Sequence, residues 1–138
     1  MTRVTRIGID VEAAIDPAYL AALRARPDTD LRDIDTARRT YVERFVASPR
    51  RPGVCSGIHR IRASDGAAIE VGAFRPADPC AGAACLFWIP GGGYVLPNPD
   101  FDEQWCSERV EAHGCVVVAV GWRRAPEHPF PTPADDCM

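Results

Sequence analysis

The residues best suited to chemistry are three consecutive glycines, Gly91, Gly92 and Gly93, which follow a short apolar run at residues 85–89. Backbone without side chains can approach a ligand closely or turn in ways that other residues cannot. A phosphate-binding loop does not fit, because the spacing matches neither nucleotide-binding pattern and no Lys-Ser/Thr follows. A plain turn and an oxyanion hole, in which N–H groups converge on a developing negative charge, both remain open at this point.

The composition predicts one soluble globular domain. The 138 residues are 46% hydrophobic and 25% charged, and the net charge of −3 gives no reason to expect nucleic acid or an anionic membrane as partner. All 16 basic residues are arginine, which excludes a lysine nucleophile. The six cysteines match no zinc or redox spacing, so we expect no metal. No run is long enough to cross a bilayer and the N-terminus does not have the pattern of a secretory signal, so we predict a cytoplasmic protein.

Hydrophobic periodicity predicts an α/β protein with a mixed sheet. A helix should begin at Asp16-Pro17, where a capping residue precedes a proline, and the strands at 85–89 and 115–120 are apolar throughout. We expect Cys85 and Cys115, inside those strands, to be buried. The predicted helices are 16–26, 34–47, 100–113 and the start of one at 134–138, and the predicted strands are 57–62, 68–74, 85–89 and 115–120.

The chain from about Ser64 to Met138 resembles the hormone-sensitive-lipase-like esterases of the α/β-hydrolase fold. Ile89-Pro-Gly-Gly-Gly-Tyr94 is similar to the family's His-Gly-Gly-Gly-aromatic motif. Trp122-Arg-Arg-Ala-Pro-Glu-His-Pro-Phe-Pro131 is similar to its Tyr-Arg-Leu-Ala-Pro-Glu-His-Pro-Phe-Pro motif. The two motifs are separated by a predicted helix and strand, as in the family, and this combination is far more specific than the glycines alone. Asp65-Gly-Ala-Ala-Ile-Glu-Val, His113-Gly-Cys-Val-Val-Val-Ala-Val120 and Asp135-Asp-Cys137 resemble further stretches in the same order.

The resemblance implies the N-terminal portion of an α/β-hydrolase fold, with a mixed, mostly parallel sheet flanked by helices. It further implies a carboxylic-ester hydrolase, esterase-like or lipase-like, that acts on a small acyl ester through a serine nucleophile and needs no cofactor or metal. It assigns the oxyanion hole to the backbone N–H groups of Gly92 and Gly93, with Gly91 in support. One such donor stabilises a transition state by roughly 3 kcal/mol.

Three positions depart from the family pattern. Pro90 stands where histidine is usual, Gly121 where aspartate is usual, and Arg124 where leucine is usual. A charge at an apolar position needs water or a carboxylate, so we expect Glu127 to pair with Arg123 or Arg124. The three histidines, at 59, 113 and 128, match no catalytic position of the family and are expected to be non-catalytic.

The sequence contains no Gly-x-Ser-x-Gly, the strand–turn–helix element that holds the nucleophile of this fold. Its four serines, at 48, 56, 64 and 107, lie in other contexts. We therefore expect nucleophile, acid and base to be absent and the core, residues 51–138, to be truncated before the nucleophile. The strand at 85–89 should then be an exposed edge through which the chain self-associates or binds a completing chain.

Two alternatives to a fragment of an esterase remain. The chain could be a non-catalytic truncated product or pseudoenzyme, or one half of a split hydrolase; in each case we expect no esterase activity from these residues alone. Residues 1–50 are predicted to be a helical, cap-like segment whose Tyr19, Leu20, Leu23 and Phe45 line an acyl pocket. Simple packing of these helices on the core is the equally supported alternative.

Overall fold

The computed structural model describes residues 13–25, 29–47, 49, 51–78 and 81–138. Contacts divide the chain into two units, Met1–Arg32 and Asp33–Met138. The first contains helix α1, Pro17–Ala25. It begins as predicted, because the Asp16 carboxylate accepts a hydrogen bond from the Ala18 N–H at 2.9 Å. Its predicted last residue, Arg26, and also Ser48 and Cys80 lie outside the described residues. The cap-like role of residues 1–50 stays a prediction.

The second unit is an α/β structure whose elements follow the predicted order. Helix α2 ends at Glu43, four residues earlier than expected, and its continuation is not stabilised by burial, since Val46 is 85% exposed. Helix α3 begins at Glu103, three residues later than expected, and stops at His113 before Gly114, as predicted; Gly114 has φ +62° and its N–H donates to the Val110 carbonyl. The elements are α2 (Ile34–Glu43), β1 (Val54–Arg62), β2 (Ala68–Pro76), β3 (Cys85–Trp88), α3 (Glu103–His113), β4 (Val116–Gly121) and α4 (Thr132–Asp135).

The four strands form one mixed sheet in the order β1-β2-β4-β3. Strands β1 and β2 make the predicted antiparallel hairpin, with Val54 opposite Pro76 and Arg62 opposite Ala68. Strand β4 pairs antiparallel with β2 and parallel with β3. Among the described residues the sheet is therefore mixed, as expected, but not mostly parallel, because two of its three strand pairings are antiparallel. The parallel pair is connected through α3, and both β3 and β4 therefore send their following loops to the same edge of the sheet.

Strand β4 is the centre of the core. Its alternate side chains point to opposite faces of the sheet. On one face Val117 and Ala119, both fully buried, pack with the side chains of α3, and on the other Val120 packs with Trp122. The remaining buried members of the two clusters are Phe74, Phe101, Cys106, Val110 and Cys115 on the first face, and Ile69 and Val71 on the second.

Strand β3 lies at an edge of the sheet, as predicted, and is not the buried strand that its apolar composition alone indicates. Leu86 and Phe87 are 36% and 49% exposed, and Cys85 is exposed as well. The physical reason is its place at the edge of the sheet, where within the described residues β4 is its single neighbour. The prediction of a buried Cys85 is therefore wrong, whereas Cys115, which immediately precedes β4, is buried as expected. Among the described residues, none of the helices could span a membrane.

Candidate active site around the glycine loop

The three glycines lie beside a cavity of about 490 Å³ at the carboxyl ends of strands β3 and β4. Open α/β sheets bind their ligands at the carboxyl ends of their strands. The walls are mostly apolar, which suits an uncharged organic ligand. The lining residues are Ile89, Pro90, Gly91, Gly92, Gly93, Tyr94, Trp122, Pro133, Ala134, Cys137 and Met138.

Two of the three glycines adopt backbone conformations that favour glycine. Gly92 has φ +139° and Gly93 has φ +57°. A Cβ at Gly92 would also lie 2.7 Å from the Leu96 carbonyl oxygen and 3.3 Å from the Trp122 ring. Both the backbone conformation and the lack of space therefore exclude a side chain at this position. A Cβ on Gly91 would meet nothing within 4 Å. Backbone geometry therefore separates Gly92 and Gly93 from Gly91.

The glycine loop folds back on itself and leaves two donors without an internal acceptor. The Gly92 carbonyl accepts hydrogen bonds from the N–H groups of Val95 and Leu96, at 3.1 and 2.8 Å. In the part of the chain that the structure describes, the N–H groups of Gly92 and Gly93 donate to no protein atom. Gly92 is half-buried and Gly93 is exposed, so both N–H groups are accessible to a ligand oxygen from the cavity.

Trp122 braces the loop at Pro90, the position where a histidine was expected. Its indole Nε1–H donates to the Pro90 carbonyl oxygen at 3.1 Å, and its ring centroid lies 5.9 Å from that of Tyr94. Trp122 is itself buried, with 8% of its surface exposed. The brace acts on the backbone, so a residue without a polar side chain is sufficient at position 90.

Arg38 on α2 joins the glycine loop to the proline-rich loop that follows β4. Its Nε donates to the Val95 carbonyl at 2.8 Å, its Nη2 to the Ala125 carbonyl at 2.6 Å, and its Nη1 to Glu127 Oε1 at 2.5 Å. The Arg38 hydrogen bond lowers the pKa of Glu127 to about 2. The predicted pairing of Glu127 with Arg123 or Arg124 is therefore wrong. No signal in the sequence singles out Arg38.

Arg123 instead binds two aspartates. Its Nη2 donates to Asp136 Oδ1 at 2.6 Å, its backbone N–H to Asp136 Oδ2 at 2.8 Å, and its Nη1 to Asp65 Oδ2 at 2.8 Å. The Asp136 side chain is fully buried. Burial opposes ionisation of this carboxyl, but the hydrogen bonds from Arg123 outweigh it, so the pKa of Asp136 is lowered. This contact fixes the end of β4 and the segment that carries Pro133 and Cys137.

Packing explains the glycine at position 121, where the family usually has aspartate. A Cβ there would lie 2.7 Å from the Glu70 carbonyl oxygen and 2.8 Å from the Phe101 ring. The Phe101 side chain thus occupies the space that a residue larger than glycine would need. Arg124 is half-buried beside Gly121 and Trp122.

No serine or histidine lies among the residues that line the cavity. Ser56 donates to Glu103 at 3.0 Å, Ser107 is buried on α3, and Ser64 is in the exposed hairpin turn. The three histidines are exposed at other positions. Within the described ranges, no group of side chains could hold a metal ion.

A parallel strand pair joined by a helix, with a glycine loop presenting two donors where the first strand ends, is the front of an α/β-hydrolase core. Residues 86–138 match the family model described as the alpha/beta hydrolase fold. The chain belongs to this family, and its similarity is to the hormone-sensitive-lipase-like esterases, as predicted.

Three of the similar proteins are named as ester hydrolases, and the chain spans less than half of each. It is 33% identical over 110 residues to the ethyl acetate hydrolase of Pseudomonas putida, covering 77% of this chain and 35% of that protein. It is 32% identical over 136 residues to the esterase LipI of Mycobacterium tuberculosis, covering 92% and 40%. The solved structure of a bacterial heroin esterase superposes with a TM-score of 0.80 at 30% identity, covering 92% and 41%.

Proposed function

We propose that these residues supply the oxyanion-hole loop of a carboxylic-ester hydrolase. The observation that carries the proposal is the pair of N–H groups on Gly92 and Gly93, which have no acceptor within the described chain and border an apolar cavity. The esterase relatives support the choice of an ester as substrate. The cavity volume of about 490 Å³ is in the range of small-molecule sites.

The proposed chemistry is acyl transfer through a serine. When the serine oxygen attacks the ester carbonyl, the carbonyl oxygen becomes negatively charged, and the Gly92 and Gly93 N–H groups donate to it. Fixed donors in an apolar site stabilise this charge without reorganising. The serine, its histidine and the acid are proposed to come from sequence outside these residues, because no Gly-x-Ser-x-Gly occurs here and the chain spans 35% and 41% of two relatives.

Turnover of a short-chain p-nitrophenyl ester tests this in the longest form of the protein that carries these residues. Gly92→Ala keeps the N–H, but its Cβ cannot fit against the Leu96 carbonyl, so the loop should shift and misplace the donor. We expect kcat to fall by about 100- to 1,000-fold, as when one oxyanion donor is lost. The matched control is Gly57→Ala on β1, where a Cβ would make an ordinary contact of 3.6 Å. Full activity of Gly92→Ala would refute the proposal.

A fluorophosphonate probe, which labels activated serines, separates the remaining alternatives. It should label the longer form and leave residues 1–138 unlabelled. Labelling that appears only after a second chain is added would support a split hydrolase. Absence of labelling in every form would favour a non-catalytic product and overturn the esterase proposal.

A further inference from the structure

Arg38 makes a set of contacts that an ordinary surface ion pair does not need. Its side chain is 19% exposed, and it donates to two backbone carbonyls, those of Val95 and Ala125, as well as to the Glu127 carboxylate. The Glu127 side chain is 53% exposed. An ion pair this open to water contributes little to stability, so the carbonyl contacts are the better guide to what Arg38 does.

The two carbonyls belong to residues that already hold the glycine loop by their N–H groups. The Val95 N–H donates to the Gly92 carbonyl at 3.1 Å, and the Ala125 N–H donates to the Tyr94 carbonyl at 3.0 Å. One guanidinium therefore closes a network that links the loop after β3 to the loop after β4. If Arg38 is removed, the Val95 and Ala125 carbonyls lose the side chain that contacts both of them.

Only an arginine can make all three contacts at once. The guanidinium is planar and carries five N–H donors in a fixed fork, whereas a lysine ammonium is a single point of charge on a flexible stem. Arg39, the next residue on α2, is exposed and bonds to Thr36 of its own helix at 2.9 Å. The two arginines thus form a natural pair of test and control positions.

We propose that Arg38 is a positioning residue for the glycine loop, holding the Gly92 and Gly93 N–H groups in place through the Val95 and Ala125 carbonyls. The inference rests on the proposed oxyanion role of those groups. It also gives α2 a specific role, because this helix carries the side chain that contacts both loops. Since oxyanion contacts count only in the transition state, a displaced loop should lower kcat and leave KM nearly unchanged.

Kinetics of four variants in the longest form of the protein test the inference. Arg38→Met and Arg38→Lys should each lower kcat by about 10- to 100-fold, the cost of a displacement near 1 Å, with KM within about twofold. Glu127→Gln, which keeps the carbonyl contacts, should lower kcat by less than about threefold. Arg39→Met should match the parent. Each is assayed well below its own melting temperature, so that unfolding does not contribute.

Two kinetic results would overturn the proposal. Full activity of Arg38→Lys would mean that the charge alone is sufficient. A loss in Glu127→Gln equal to that in Arg38→Met would mean that the ion pair, and not the grip on the carbonyls, holds the loop.

Hydrogen exchange tests the same contact without any chemistry. The Ala125 N–H should exchange at least about tenfold faster in Arg38→Met than in the parent or in Arg39→Met, because its hydrogen bond to Tyr94 is part of the network. An unchanged rate would overturn the inference. A protein that hydrolyses no ester would refute the proposed function alone, since the exchange rates would still decide whether Arg38 holds the loop.

Discussion

Strands β3 and β4 have sequences of the same apolar kind and opposite environments. Val117 and Ala119 of β4 are fully buried between two neighbouring strands. Leu86 and Phe87 of β3 are 36% and 49% exposed, and the strand has one neighbour within the described chain. An apolar run therefore reports a strand's composition, whereas its burial depends on how many elements surround it.

The segments that follow the two strands differ in the same way. After β4, Arg123 is fixed by the buried Asp136. After β3, the Gly92 and Gly93 N–H groups have no partner in the described chain. The well-packed strand therefore anchors the site, and the exposed strand carries the loop that is proposed to contact substrate. The contacts of that loop are to its backbone carbonyls, where Pro90 accepts from Trp122 and Val95 accepts from Arg38.

A charge placed on β4 should have the strongest effect of any change considered for the two strands. Val117→Asp would bury an unpaired carboxylate in the main cluster and should destabilise the fold by more than about 4 kcal/mol, enough to unfold it. Phe87→Lys on β3 should leave the fold intact, because the side chain reaches water. Circular dichroism thermal melts of residues 1–138 compare the two. A cooperatively folded Val117→Asp would contradict the central place of β4.

Phe87→Lys also tests the exposed edge. An apolar edge strand with unpaired backbone groups is a template for association, so residues 1–138 should self-associate and Phe87→Lys should reduce the associated fraction. Light scattering at several concentrations measures both. A parent chain that is a monodisperse monomer would show that the β3 edge does not mediate self-association.

The next effect concerns the anchor behind β4. Asp136→Asn should lower the free energy of unfolding at neutral pH by about 2–4 kcal/mol, somewhat less than a fully buried pair, because Arg123 keeps its contact with Asp65. Chemical denaturation measures the loss. Asp65→Asn, whose parent side chain is 54% exposed, is the matched control and should cost less.

The pH dependence of stability tests the same carboxylate. Its pKa is lowered in the folded state, so its contribution is present above the usual value of 3.8 and is lost as pH falls through the folded pKa. The free energy of unfolding should therefore fall in acid, and it should fall less steeply in Asp136→Asn. Parallel acid limbs in the two proteins would contradict an ionised Asp136.

Local signals in the sequence predicted most of the fold. The hairpin, the end of α3 at Gly114 and the order of elements each depend on residues close together in the chain, and all agree with the structure. The edge position of the strand at 85–89 was predicted, whereas the burial predicted for Cys85 from its apolar neighbours was wrong, because local composition does not show strand order. Arg38 and Arg39 are indistinguishable as letters, and only the fold shows which one reaches residues 57 and 87 positions away.

In the candidate site, too, the features that depend on nearby residues were predicted and those that depend on the fold were not. A triple glycine and its flanking motif are visible in the sequence, and they led to the loop at the cavity. The reason that Gly92 must be glycine is a carbonyl four residues later, at Leu96, which approaches because the loop folds back. The partner of Glu127 could not be predicted, since Arg123 and Arg124 are near in sequence but Arg38 is near in space.

Single small substitutions on β4 and β3 should also differ in their effect on the free energy of unfolding. Gly121→Ala at the end of β4 should destabilise the fold by about 1–3 kcal/mol, the usual cost of overpacking, because its Cβ would meet Glu70 and Phe101. Cys85→Ala at the start of β3 should change stability by less than about 0.5 kcal/mol. The midpoints of urea unfolding at equal slope measure both. A neutral Gly121→Ala would mean that Phe101 moves aside easily.

The mildest change to the protein is the alkylation of single thiols. Under native conditions iodoacetamide should modify Cys85 much faster than Cys115 or Cys106, because Cys85 alone of the three is exposed. Burial also raises the pKa of Cys106 to about 12, which removes its reactive thiolate near neutral pH. Mass spectrometry of the peptides gives each rate, with urea-unfolded protein as the control in which the three should react alike.

The same alkylation rates, measured in proteins of different length, show what covers β3. If Cys85 reacts quickly in residues 1–138 and slowly in a longer form, additional sequence covers the β3 edge, and the two strands become equally buried there. If Cys85 is protected in residues 1–138 at high concentration and reactive on dilution, the cover is a second copy of the chain. Equal protection of Cys85 and Cys115 at every concentration would contradict an exposed β3, because no association could then account for it.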